Sequence, residues 1–115
     1  MKVTIYHNPR CGKSRETLAL LRGQGIEPVI VEYLDTPPDA AALKKLLTTL
    51  KLKPRQLLRT KEKDYQALGL DDSDLSDDEL IKAMVEHPLL IERPIVVAGG
   101  KAVLGRPPEK VLDII

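Results

Sequence analysis

Two β-rich runs open this chain, two more close it, and the stretch between them carries helical spacing. That order limits the possible folds more than any other feature. Val3-Thr-Ile-Tyr6 reads as a buried strand ending in the turn His7-Asn8-Pro9. From Ser14 to Arg22 the period turns helical, with Leu18 and Leu21 on one face and Gly23 and Gly25 as the stop. Pro28 to Leu34 is a second apolar run and reads as a central strand. Together these make a β-loop-α-β unit, long enough for a parallel crossover.

The middle is helical. Asp39 to Leu50 places Leu43, Leu46, Leu47 and Leu50 at helical spacing. Pro54 opens a short helix through Leu58, and another turn fits Lys63 to Leu68 before Gly69. Ser76-Asp-Asp-Glu79 is a capping box, followed by Leu80, Met84 and Val85 on one face. The end reverts to β: Ile95-Val-Val97 and Ala102-Val-Leu104 flank Ala98-Gly-Gly-Lys101, a hairpin signature. Pro107 and Pro108 then start a last helix carrying Val111, Leu112 and Ile115. The expected fold class is α/β. It is a thioredoxin-like βαβ-ββα mixed sheet with a helical insertion at about residues 39–86, within one domain spanning 1–115.

Composition narrows the function. The chain has 115 residues, 43% hydrophobic and 30% charged, as a folded globule should be. With three Tyr and no Phe or Trp, the core must be built from Leu, Ile, Val and Ala. A net charge of +1 argues against a nucleic-acid partner recognised by charge. No run approaches the roughly 18 apolar residues of a membrane span, and the N-terminus lacks a signal-peptide apolar region. The single cysteine, Cys11, excludes an internal disulfide and any metal site built from several thiolates. A cytoplasmic monomer without membrane, nucleic-acid partner, metal or bound cofactor is expected.

Cys11 lies where the first strand hands over to a helix. Unpaired N–H groups and the positive helix end favour an anion there, whether a thiolate or an oxyanion beside it. Arg10, Lys13 and Arg15 add positive charge, and Gly12 lets the backbone come close. A lone cysteine is most often a small buried hydrophobe, but this one has polar and basic neighbours. A reactive thiolate is therefore expected, with Ser14 able to donate a hydrogen bond to it and His7 able either to do so or to hold the loop. Position 14 holds serine where a CxxC motif would carry a resolving thiol, so an external thiol must resolve any adduct. Arg59, Arg93 and Arg106 stand at element boundaries, and arginine's planar fork suits tetrahedral oxyanions. Arg93-Pro94, just before the third strand, is a candidate cis peptide. His87 reads as a helix C-terminal residue, and the acidic run from Asp71 to Glu79 as a solvated turn and helix start.

The segments His7-Asn-Pro-Arg-Cys-Gly-Lys-Ser-Arg15, Leu57-Leu-Arg59, Leu90-Ile-Glu-Arg-Pro-Ile-Val-Val97 and Gly105-Arg-Pro-Pro-Glu-Lys-Val-Leu112 together resemble the glutaredoxin-coupled arsenate reductases, the ArsC family. The resemblance covers nearly the whole chain. It implies that Cys11 forms a thiol–arsenate adduct, that glutathione as co-substrate attacks it, and that glutaredoxin removes the glutathione so that arsenite leaves. On that resemblance Arg59, Arg93 and Arg106 bind the oxyanion and His7 assists the thiolate; Gly12 and Lys13 as further oxyanion ligands, and Ser14 as a catalytic partner of the thiolate, are expected from the loop's own residues, and Lys13 stands where family members vary. Two alternatives stay open: a glutathione-dependent thiol reductase with another substrate, and a non-catalytic regulator of the related Spx type that binds RNA polymerase. Many Spx-type proteins carry a CxxC motif, which this chain lacks.

Overall fold

The computed structural model describes residues 2–115. The chain divides into two compact units, one of residues 1–36 with 93–115 and one of residues 37–92. The expected helical insertion at 39–86 falls inside the second.

The first unit is built on a four-stranded mixed sheet in the order β2-β1-β3-β4. β1 (Val3–Tyr6) pairs in parallel with β2 (Val29–Val31), Ile5 opposite Ile30. On its other side β1 pairs antiparallel with β3 (Ile95–Ala98), Ile5 opposite Val96. β3 turns through Gly99 and Gly100 into β4 (Lys101–Leu104). Both glycines have positive φ, 56° and 80°, as a tight hairpin whose twist matches its strands requires. This is the thioredoxin-like arrangement. Helix α1 (Gly12–Gly23) and the 3-10 helix Pro108–Asp113 pack on one another. The core joins Val3, Ile5, Leu21, Val96, Ala98 and Val111. Aliphatic residues interdigitate well without aromatics, because branched side chains sit in few rotamers.

Three expectations are corrected here. β2 is an edge strand of three residues and not a central one, with Val29 48% exposed and Ile30 38% exposed. Its apolar run ends early because the backbone N–H groups of Asp35 and Thr36 both turn back to the Glu32 carbonyl. Pro28, which has no N–H, precedes it. The helix expected from Ser14 begins at Gly12, so that Ser14 belongs to its first turn. The last helix is 3-10 in type and leaves Leu112 exposed, because its tighter period swings that residue off the buried face of Val111.

The second unit is helical. It comprises α2 (Ala40–Leu50), α3 (Pro54–Leu57), α4 (Lys63–Ala67), α5 (Asp77–Glu86) and the 3-10 turn Pro88–Leu90. Asp39 caps α2 by accepting from the Ala42 N–H at 2.8 Å. The Ser76/Glu79 capping box opens α5 as its spacing predicts. α2 and α3 pack against α5. Arg55 ties down the irregular segment after α4. Its guanidinium donates to Tyr65 Oη at 3.2 Å, to the Leu70 carbonyl at 2.9 Å and to the Asp72 carbonyl at 2.8 Å. Replacing Arg55 by Met should keep much of the stem's packing and remove all three bonds. A loss of about 1–3 kcal/mol in urea unfolding is expected; an unchanged midpoint would show that the 63–74 segment holds itself.

Candidate functional site

The cysteine loop is shaped by one hydroxyl. Ser14, fully buried in the first turn of α1, places Oγ 2.6 Å from His7 Nδ1 and accepts from the Asn8 N–H at 3.0 Å. His7 and Asn8 are themselves buried, at 5% and 7% exposure. Asn8 Oδ1 in turn accepts from the Arg10 N–H, and the Asn8 carbonyl accepts from the Cys11 N–H, both at 3.0 Å. Arg15 donates from Nη1 to the Pro9 carbonyl at 3.1 Å. These bonds curl residues 7–11 over the helix start and leave Cys11 as the N-cap residue, in extended geometry. No side chain caps α1, so the free N–H groups of its first turn are available to an anion at Cys11. Cys11 is 8% exposed. Gly12 and Lys13 are exposed, and Lys13 Nζ lies 3.6 Å from Glu16 on the open helix surface.

The same unit brings Arg93 and Arg106 together. Arg93-Pro94 is cis, as the Pro position suggested, and Arg106-Pro107 is cis as well. Arg106 donates from Nη1 to the Arg93 carbonyl at 3.2 Å. Their approach to α1 depends on residues the sequence reading passed over. Thr17, fully buried one turn after Ser14, donates from Oγ1 to the Lys13 carbonyl at 2.8 Å and lies 3.5 Å from the Gly105 carbonyl. The Gly105 N–H donates to the Pro94 carbonyl at 3.0 Å. A Cβ at position 105 would lie 2.6 Å from Thr17 Oγ1 and 2.9 Å from Pro94 Cγ, so only glycine fits. Asn8, Thr17 and Gly105 are thus supporting residues of the loop and of the two arginines. A signal for Thr17 was present: Ser14, Thr17 and Leu21 share one face of α1 at spacings of three and four, so the buried stripe begins with two hydroxyls.

Arg59 belongs to the second unit, two residues after α3. Its side chain is held by carboxylates, Glu62 Oε2 at 2.9 Å from Nη1 and Glu92 Oε1 at 3.9 Å from Nε. Beside the cysteine loop lies a cavity of about 280 Å³, lined in part by His7, Asn8, Arg10, Glu32 and Asp35. Among the described residues, no helix is long and apolar enough to cross a membrane. No group of three His, Cys, Asp or Glu side chains among them could hold a metal ion.

The pKa of His7 is pushed below its ordinary 6.5, chiefly by burial. Glu32 opposes this shift, whereas Arg22 and Arg15 add to it. His7 is therefore neutral near pH 7, and its Nδ1 can either accept the Ser14 proton or donate its own. Because the folded chain resists protonating His7, this group contributes stability fully above pH 6.5. That contribution shrinks as pH falls from 6.5 through the lower folded-state value. An NMR titration of the imidazole should give a midpoint below 6.5, with urea stability declining in the same window. A midpoint at or above 6.5 would contradict the buried neutral imidazole.

A cysteine at the N-cap position of the first helix beside a thioredoxin-like sheet, with an arginine-cis-proline pair before β3, defines a single-thiol member of that fold class. The chain belongs to the ArsC family, whose model matches residues 6–114. It is 59% identical to YfgD of Escherichia coli (strain K12), described as an uncharacterized protein, over 99% of this chain and 97% of that one. It is 53% identical to an arsenate reductase of Haemophilus influenzae, covering 100% of both chains. The solved structure of an arsenate reductase from Vibrio cholerae superposes with a TM-score of 0.98 at 58% identity, over 100% of this chain and 98% of that one.

Proposed function

We propose that this chain reduces arsenate to arsenite through a covalent adduct on Cys11, with glutathione and glutaredoxin supplying the electrons. The observation that carries the reading is the placement of the only cysteine as the N-cap of α1, with no side chain competing for the first-turn N–H groups. The similarity to arsenate reductases along the full chain supports the choice of oxyanion.

In this reading the Cys11 sulfur attacks arsenic and an oxygen leaves as water. Glutathione adds next, and a second oxygen leaves as water. Glutaredoxin then attacks the glutathione sulfur, carrying it off as a mixed disulfide and leaving two electrons on arsenic. Water finally cleaves the sulfur–arsenic bond, releasing arsenite and the Cys11 thiol. Ser14 stands in the position of a second thiol, which is why the chain draws on external ones. His7 and Ser14 assist the thiolate by holding the loop. Arg59, Arg93 and Arg106, with the Gly12 backbone and Lys13, are the oxyanion ligands of this reading. The arginine fork offers paired donors to a tetrahedral anion.

A coupled assay with arsenate, glutathione, glutaredoxin and an NADPH-linked reductase tests it. Arsenate-dependent NADPH loss is expected, and Cys11→Ser should abolish it with the fold intact. Arg93→Lys should lower kcat/KM on the order of tenfold although the charge is kept, because lysine lacks the planar fork. Arsenite production by Cys11→Ser would overturn the mechanism. Thiol turnover without arsenate dependence would point to another thiol substrate, and co-purification with polymerase without turnover would point to a regulator.

A further inference from the structure

The parallel strands β1 and β2 end side by side, and the segments that leave them meet. The His7 N–H donates to the Val31 carbonyl at 2.8 Å, which sets the cysteine loop against the turn after β2. That turn is closed by the Asp35 and Thr36 N–H groups, both 3.0 Å from the Glu32 carbonyl. Between them lies the cavity of about 280 Å³, to which the turn contributes Glu32 and Asp35 and the loop contributes His7, Asn8 and Arg10. Crevices beyond the carboxyl ends of parallel strands are where open α/β sheets take ligands.

The polar groups around this cavity are not engaged with one another. Among the described residues, no ion pair or side-chain hydrogen bond holds Arg10, Glu32 or Asp35. His7 Nδ1 meets Ser14 and Asn8 Oδ1 meets the Arg10 N–H, which leaves His7 Nε2 and Asn8 Nδ2 without a partner in the chain. The two side chains are only 5% and 7% exposed, yet neither nitrogen is sealed in, and the cavity is the space they line. With the Ser14 hydroxyl donating to Nδ1, Nε2 keeps the ring proton and is a donor. The loop side thus offers donors and the turn side offers two carboxylates. A ligand that satisfies both must carry an anionic and a cationic group close together.

Glutathione carries such a pair, because the ammonium and carboxylate of its γ-glutamyl residue share one carbon. We propose that this cavity receives the γ-glutamyl head of glutathione, its ammonium between Glu32 and Asp35 and its carboxylate toward Arg10 and the Asn8 amide. The inference rests on the reading that glutathione resolves the Cys11 adduct, and it deepens that reading by giving the thiol a binding site. Cys11 directly follows Arg10. The γ-glutamyl-cysteine arm spans two extended residues, about 7 Å, a reach that suits a sulfur at Cys11 with the head in the cavity. Glu32 and Asp35 bind the co-substrate away from the reacting atoms, and their effect on the reaction is to orient the attacking thiol.

Two measurements test the site. In steady state, Glu32→Gln and Asp35→Asn should each raise the KM for glutathione about two- to fivefold, and the double variant further, while the KM for arsenate moves little. Glu32→Asp, which keeps the charge, should recover most of that loss, and thermal melts report whether each variant folds. In NMR titrations of the parent without arsenate, at constant pH and ionic strength, the unreactive S-methylglutathione should shift the His7 imidazole and Asn8 side-chain amide signals along a saturable curve. N-acetylation of that probe, which removes the ammonium charge, should weaken binding several-fold. An unchanged glutathione KM in the double variant, or equal binding of the probe and its N-acetyl form, would overturn the proposal. Arsenate-dependent turnover with no shifts at His7 and Asn8 removes this binding site alone and leaves the reading of the reaction. Saturable, acetylation-sensitive shifts in a chain without arsenate-dependent turnover keep the site and remove arsenate as the substrate.

Discussion

The cysteine loop depends on the Ser14 hydroxyl. A buried backbone N–H and a buried imidazole nitrogen must both find partners, since leaving either unpaired costs about 1–3 kcal/mol. Ser14 serves Asn8 and His7 at once, from inside the first turn of α1. That double engagement fixes how the chain leaves β1 and enters the helix. It sets Cys11 at the cap, where the free N–H groups of the helix converge, and the thiol inherits its surroundings from a neighbour three residues on.

A second level of support comes from close packing. Gly105 lies against Thr17 and Pro94 with no room for a methyl group, so the segment after β4 comes up to α1 along its own backbone. Arg106 follows directly and donates to the Arg93 carbonyl. The first unit thus brings the segment before Arg106 against α1, and Arg106 onto the Arg93 carbonyl, through small residues. In a near-neutral chain of net charge +1, the cations at the loop are those its own sequence supplies, Arg10, Lys13 and Arg15.

Much of this was legible in the sequence because its causes are local. The capping box at Ser76, the Gly99-Gly100 turn and the proline-opened α3 each act within four residues, and each appears where its spacing placed it. The cysteine at a strand-to-helix junction was legible for the same reason. What escaped has long-range causes. Val29 and Ile30 read as central because apolar composition cannot tell which strand of a sheet has one neighbour and which has two. Thr17 and Gly105 meet across 88 residues, and nothing near either announces the other. Asn8 passed as an ordinary turn residue, although burial makes its amide a structural member of the loop. The three arginines were marked together by residue type, yet they meet different surroundings. Arg93 and Arg106 are linked through a backbone carbonyl, and Arg59 sits between carboxylates.

The central claim is that Cys11 and the helix start form one oxyanion pocket. Its most direct measurement is the rate of Cys11 alkylation by iodoacetamide as arsenate is added at constant pH and ionic strength. A bound oxyanion sits over the sulfur and neutralises the cations around it, so the rate should fall along a saturable curve. A rate that stays constant to high arsenate concentration would contradict the account, because the thiol and the anion would then occupy separate places.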